Sequence, residues 1–170
     1  LVLVGTISPE LNNFWFSIGM LLTGSGLGLL ASQIGNINMS AVSKEDTAEA
    51  GGLQGAFQNL GSSIGTALIG SVFIAALIGG VATSINQSSL SQGTKEQVIS
   101  ATENGIGIVS IDQAEKAALN AGLSQSDATE ISQQYQDAQI AGLKKALFFL
   151  SIVGLLSIAL SRDLPKRDPR

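Results

Sequence analysis

The sequence contains no cysteine and no histidine. The first absence excludes disulfides, thiol nucleophiles and thiolate metal sites. The second removes the commonest general base and metal ligand. Charge is also scarce: Asp, Glu, Lys and Arg make up 13% of the 170 residues, against a usual share of about 25%. The net charge of −4 argues against nucleic acid as a partner. No nucleophile–base pair, phosphate-binding loop or zinc-ligand spacing is present. Catalysis therefore has no support, and neither a cofactor nor a metal is expected.

What charge there is lies outside the apolar runs. The stretch 50–81 has 32 residues and not one charge. About 20 mostly apolar residues suffice to cross a bilayer as a helix, so this stretch is long enough. Wound at 100° per residue, it places Gly51, Gln54, Gly55, Gln58, Gly61 and Gly65 on one side. Leu53, Phe57, Leu60, Ile64 and Leu68 fall on the other. Small residues let helix backbones approach closely within a membrane, and amides there seek partners. One face is thus expected to meet protein or water and the other lipid.

Two further runs are read as spans. Residues 14–36 open on Phe14, Trp15 and Phe16, with the tryptophan as an interface anchor, and carry the small-residue pair Gly24 and Gly28. Residues 140–161 hold ten Leu, Ile, Val or Phe between 146 and 160, enough to outweigh two Ser and one Gly. Lys144 and Lys145 lie near the edge of that run, where long side chains reach the interface. Residues 1–8 read as the end of a truncated span, followed by a turn around Pro9. The chain is therefore expected to be a C-terminal piece of a longer protein.

Between the spans, 39–49 is a short polar connection, so spans 14–36 and 50–81 should pack as a hairpin. Residues 82–139 form a long excursion with two Lys and seven acids. Capping-box patterns at Thr94–Gln97 and Ser110–Gln113 predict helices near 94–103 and 111–121, and a third over 126–139 runs on into the last span. Apolar residues within the excursion are too few for a core of its own. The acids lack any cation-loop spacing and read as a solvated face. The tail 162–170 carries four Lys or Arg against two on the opposite flank of the last span, so it is expected in the cytoplasm. Connection 39–49 is then cytoplasmic and 82–139 external. The expected architecture is all-α: a polytopic transmembrane bundle of about three complete spans plus the end of another, with an external helical loop.

Three segments carry a family resemblance. They are Trp15 with Leu22-Thr23-Gly24-Ser25-Gly26-Leu27-Gly28; Met39-Ser40-Ala41-Val42-Ser43 with Ala50-Gly51-Gly52-Leu53-Gln54; and the run from Leu60 to Ser71. Together they resemble the fourteen-span drug–proton antiporter branch of the major facilitator superfamily, the EmrB/QacA type. Ser43 departs from the pattern, since many relatives carry proline there. The resemblance covers about residues 12–80, and 140–170 by pattern only. It implies a partial major facilitator fold, an inner (plasma) membrane location and proton-driven multidrug export by alternating access. Its partners would be the bilayer, the remaining spans of the same transporter and a hydrophobic small-molecule substrate. No Asp or Glu lies within any span, so proton-coupling carboxylates would belong to other spans. On this reading Gln54, Gln58 and Asn59 are the substrate-cavity candidates, although such amides also serve as interhelical glue. Gly24, Gly28, Gly51, Gly55, Gly61 and Gly65 are assigned to helix packing. The rival reading is a structural membrane module that presents the 82–139 loop to a partner protein.

Overall fold

The computed structural model describes residues 1–8, 13–40, 42–103 and 108–161. The proline turn at 9–12, and the basic tail 162–170 used for orientation, lie outside the described residues. Among the described residues six helices follow in order: α1 Val2–Thr6, α2 Phe14–Ser40, α3 Thr47–Gln87, α4 Gln92–Glu103, α5 Ile111–Asn120 and α6 Gln125–Ser161. No strand occurs among the described residues. Three helices, α2, α3 and α6, are long and apolar enough to cross a membrane. This is a membrane protein built on transmembrane helices. The chain divides into two compact units, Val2–Gly70 and the residues from Ser71 onward, so α3 contributes to both.

Each span is longer than the apolar run predicts. Helix α2 ends at Ser40 rather than 36, and α3 runs from Thr47 to Gln87 rather than from 50 to 81. At about 1.5 Å per residue, the 41 residues of α3 extend about twice the thickness of a hydrocarbon core of about 30 Å. A substantial part of α3 therefore lies beyond any bilayer it crosses. Helix α6 fuses the helix predicted at 126–139 with the span predicted at 140–161, without a break, as the sequence leads one to expect.

In the first unit, α2 starts at Asn13, whose side-chain oxygen accepts from the Trp15 amide at 2.9 Å. That satisfies one of the orphan donors of a helix start. Leu21, Leu22, Leu27, Leu29 and Leu30 of α2 are all exposed. Such leucines need lipid or further helices around them. Helix α1 lies against α2 at Gly19, where an added Cβ would sit 2.7 Å from Leu3 Cδ2.

The second unit draws its core from both sides of residue 81. Residues 82–139 alone are indeed poor in apolar side chains, yet the unit has a core. It is built from Leu77, Val81 and Ile85 of α3, Leu90, Ala118 of α5, and Ala128, Ile131, Tyr135 and Ala138 of α6. The missing apolar groups come from the far end of α3, and the core runs across 81/82. The α3 residues recur every four positions and the α6 residues every three or four, which lines each set along one helix face. The two helices run antiparallel and touch at small residues. A Cβ added at Gly80 would lie 3.2 Å from Ala138 Cβ, and one at Gly142 would lie 3.4 Å from the Leu77 nitrogen and the Phe73 ring.

Local signals fix the short helices. Ser110 caps α5 in a full capping box: its hydroxyl accepts from the Gln113 amide at 3.3 Å, and the Gln113 side chain accepts from the Ser110 amide at 3.0 Å. At the other end Gly122, at φ +85°, donates to Leu119 O while Leu123 donates to Ala118 O. This double closure needs the left-handed conformation that glycine adopts without a Cβ penalty. The box predicted at Thr94 sits one turn too late. Helix α4 starts at Gln92, and Ser91 Oγ accepts from the Thr94 amide at 3.3 Å. Replacing Ser110 with alanine is expected to destabilise α5 by about 1 kcal/mol, read as faster hydrogen exchange over 111–120. Unchanged exchange there would show that the box is idle.

Candidate functional site

The connection between α2 and α3 is closed by side-chain hydrogen bonds. Ser43 Oγ accepts from the Asp46 amide at 3.4 Å and donates to Asp46 Oδ2 at 2.8 Å. The Thr47 hydroxyl donates to Ser43 O at 3.1 Å. A serine that bonds its own turn sets the chain direction that proline would set through φ. The Glu45 carboxyl is held below its ordinary range, first by its own backbone amide and then by the Ser43 side chain.

Just above this turn α2 and α3 meet. Asn38 Nδ2 donates to Gln54 Oε1 at 3.1 Å, and Gly35 faces Gln54, with an added Cβ 4.0 Å from Nε2. The predicted hairpin is thus tied at its base. Around this tie lies a cleft of about 540 Å³, lined by apolar groups such as Ile34, Leu53 and Phe57 together with the amides Asn38, Gln54 and Gln58. Among the described residues no charged side chain lines it. An apolar concavity with a few convergent amides can bind an uncharged or amphipathic molecule by burial plus directed hydrogen bonds. It cannot release a proton, because an amide does not titrate.

The predicted site residues separate on inspection. Gln54 is half-buried and hydrogen-bonded, and Gln58 is exposed on the cleft wall. Asn59 is exposed and does not line the cleft. Asn38, read from sequence only as the polar end of a span, supplies the donor that Gln54 accepts from. No local pattern pairs positions 16 apart across a turn; only the unsatisfied amide on each helix hints at it. Of the packing glycines, Gly24, Gly28, Gly55, Gly61 and Gly65 meet nothing within 4 Å where a Cβ would stand. Gly51 is half-buried. Among the described residues, close approaches fall at Gly19, Gly80 and Gly142. The small-residue face of α3 is thus tied to α2 at Gln54 and open at Gly61 and Gly65 to whatever lies beside it. Among the described residues no cluster of acidic groups could hold a metal ion.

Comparison with protein-family models, curated proteins and solved structures returned no match to this chain.

Proposed function

We propose that these helices are the closing spans of a secondary active transporter, a proton-coupled multidrug exporter that works by alternating access. The reading rests on the family resemblance over residues 12–80. The observation that carries it furthest is the uncharged cleft in which Asn38, Gln54 and Gln58 converge. In such a transporter two helical halves rock about a midplane site. This chain would supply packing helices, the open small-residue face of α3 among them, and part of the cavity wall. The coupling carboxylates would come from other spans. The C-terminus would lie in the cytoplasm of a cell whose inner membrane holds the protein.

The complete protein, produced in cells that lack their main efflux pumps, should lower accumulation of a hydrophobic dye. A protonophore should abolish that effect. Unchanged dye levels across a chemically varied panel would refute the proposal. Within an active protein, Gln54→Ala breaks the tie to Asn38 and should lower abundance and weaken export of all substrates alike, by about 1–2 kcal/mol of stability at most. Gln58→Ala, on the open wall, separates the remaining roles. A selective change in substrate range at normal abundance assigns Gln58 to substrate contact, whereas a uniform decline assigns it to helix association.

One observation favours the second reading, a membrane module that displays a folded external element. The helices beyond Ser71 possess a core of their own, which a merely tolerated loop would not require. In that case the dye assay is negative and the 82–139 segment retains a protein from the outer face.

A further inference from the structure

Helices α4 and α5 leave a groove of about 280 Å³ between them. Its floor includes Val81 and Tyr135, and its walls include Val98 and Ala101 from α4 and Ala117 and Ala121 from α5. We infer that this groove is a binding site for a small uncharged apolar molecule, of the size of two fused aromatic rings or an alkyl chain of similar volume. Nothing in this inference depends on transport.

Four observations carry it. First, the lining is mostly apolar, and among the described residues it contains no charged side chain. A charged ligand would lose its hydration without gaining a partner. Second, Tyr135 and Gln113, two of the three polar side chains at the groove, are engaged in building it. The Tyr135 hydroxyl accepts from the Val109 amide at 3.1 Å, and Gln113 Oε1 accepts from the Ser110 amide at 3.0 Å. They hold the start of α5 in place rather than calling for a polar ligand. Third, size selects the class. A dry cavity of about 150 Å³ lined by such side chains takes up benzene, and this groove has nearly twice that volume. A stable protein partner would need about 800 Å² on each side, far more than a groove of this volume presents. Fourth, the site is reachable. Ala101, Ala117 and Ala121 are exposed, while Val81 and Tyr135 beneath them are buried. Alanine at the rim is what keeps the groove open: a wall of larger side chains would fill it from within.

The test uses the full chain in lipid nanodiscs and a neutral naphthalene that bears a photoactivatable diazirine. After irradiation, adducts should map to α4 and α5. Excess unlabelled naphthalene should reduce them at least about tenfold. Ala117→Phe and Ala101→Phe, each made alone, should fill the groove from opposite walls and lower the same adducts to a similar extent. Adducts in α2, which arise from partition into lipid, should not change. Helix content by circular dichroism checks that each variant folds. If neither variant folds, competition by naphthalene on the unaltered chain decides alone. The inference is overturned by label confined to the membrane spans, by groove label that naphthalene does not displace, or by groove label indifferent to both phenylalanines in folded protein.

Discussion

Tyr135→Ala is expected to destabilise the unit beyond Ser71 by about 3–5 kcal/mol, the cost of truncating a buried aromatic ring. The ring is buried on the α6 face that meets Leu77, Val81 and Ile85. Its hydroxyl accepts from the Val109 amide, while Gln139 Nε2 donates to the Val109 carbonyl at 3.0 Å. Both backbone polar groups of Val109 are thus committed to α6, and this fastens the chain between α4 and α5. Loss of the side chain opens a void and removes one of those two ties at once. Hydrogen exchange over α4 and α5 should accelerate by about a hundredfold or more, since each 1.4 kcal/mol is tenfold. Tyr135→Phe keeps the ring and removes the hydroxyl, and should cost only about 1 kcal/mol. Equal losses from the two variants would show that the hydrogen bond, not the ring, holds the unit together.

Gly80→Leu should be the next most damaging change. A Cβ there already lies 3.2 Å from Ala138 Cβ and 3.5 Å from its Cα. A leucine places three further carbons in that space, and α3 and α6 must part. Overpacking of this kind costs about 1–3 kcal/mol. Gly79→Leu is the control, because a Cβ at Gly79 meets nothing within 4 Å. Both substitutions replace a helix-weakening glycine, a gain of up to about 1 kcal/mol, so Gly79→Leu should be neutral or stabilising. The difference would be read as protease resistance of 82–139 in nanodiscs. Similar resistance in both variants would mean that α3 and α6 do not touch at Gly80.

These particulars indicate what the sequence could disclose. The Ser110 box was legible because it is local, with donor and acceptor three residues apart. The Thr94 box was misplaced because Ser91 stands one turn earlier with the same chemistry, and a pattern cannot rank two caps that the chain must choose between. The continuity of α6 was legible because no glycine or proline interrupts 125–141. The role of Leu77, Val81 and Ile85 was not, since a lipid tail and a protein core ask for the same side chains. An apolar run therefore tells how much surface must be hidden, not what hides it. The Asn38–Gln54 tie was hidden for a different reason: each amide is visible, but their meeting depends on the geometry of the Ser43 turn. The apolar stretches at the heart of the three long helices follow directly from apolar length and the exclusion of charge, whereas their extensions past those stretches do not.

The sharing of α3 between two units also sets an order of events during synthesis. The core residues of α3 end at Ile85 and their α6 partners begin at Ala128. At about 5–20 residues per second, a ribosome needs several seconds to make the intervening chain and bring α6 into being. Throughout that interval Leu77, Val81 and Ile85 have no α6 partner to cover them, and α4 and α5 have only half a platform on which to settle. The second unit thus matures only after its last helix has emerged. A ribosome stalled before Ala138 would leave an apolar helix end uncovered, the kind of surface that membrane quality-control proteases and chaperones engage.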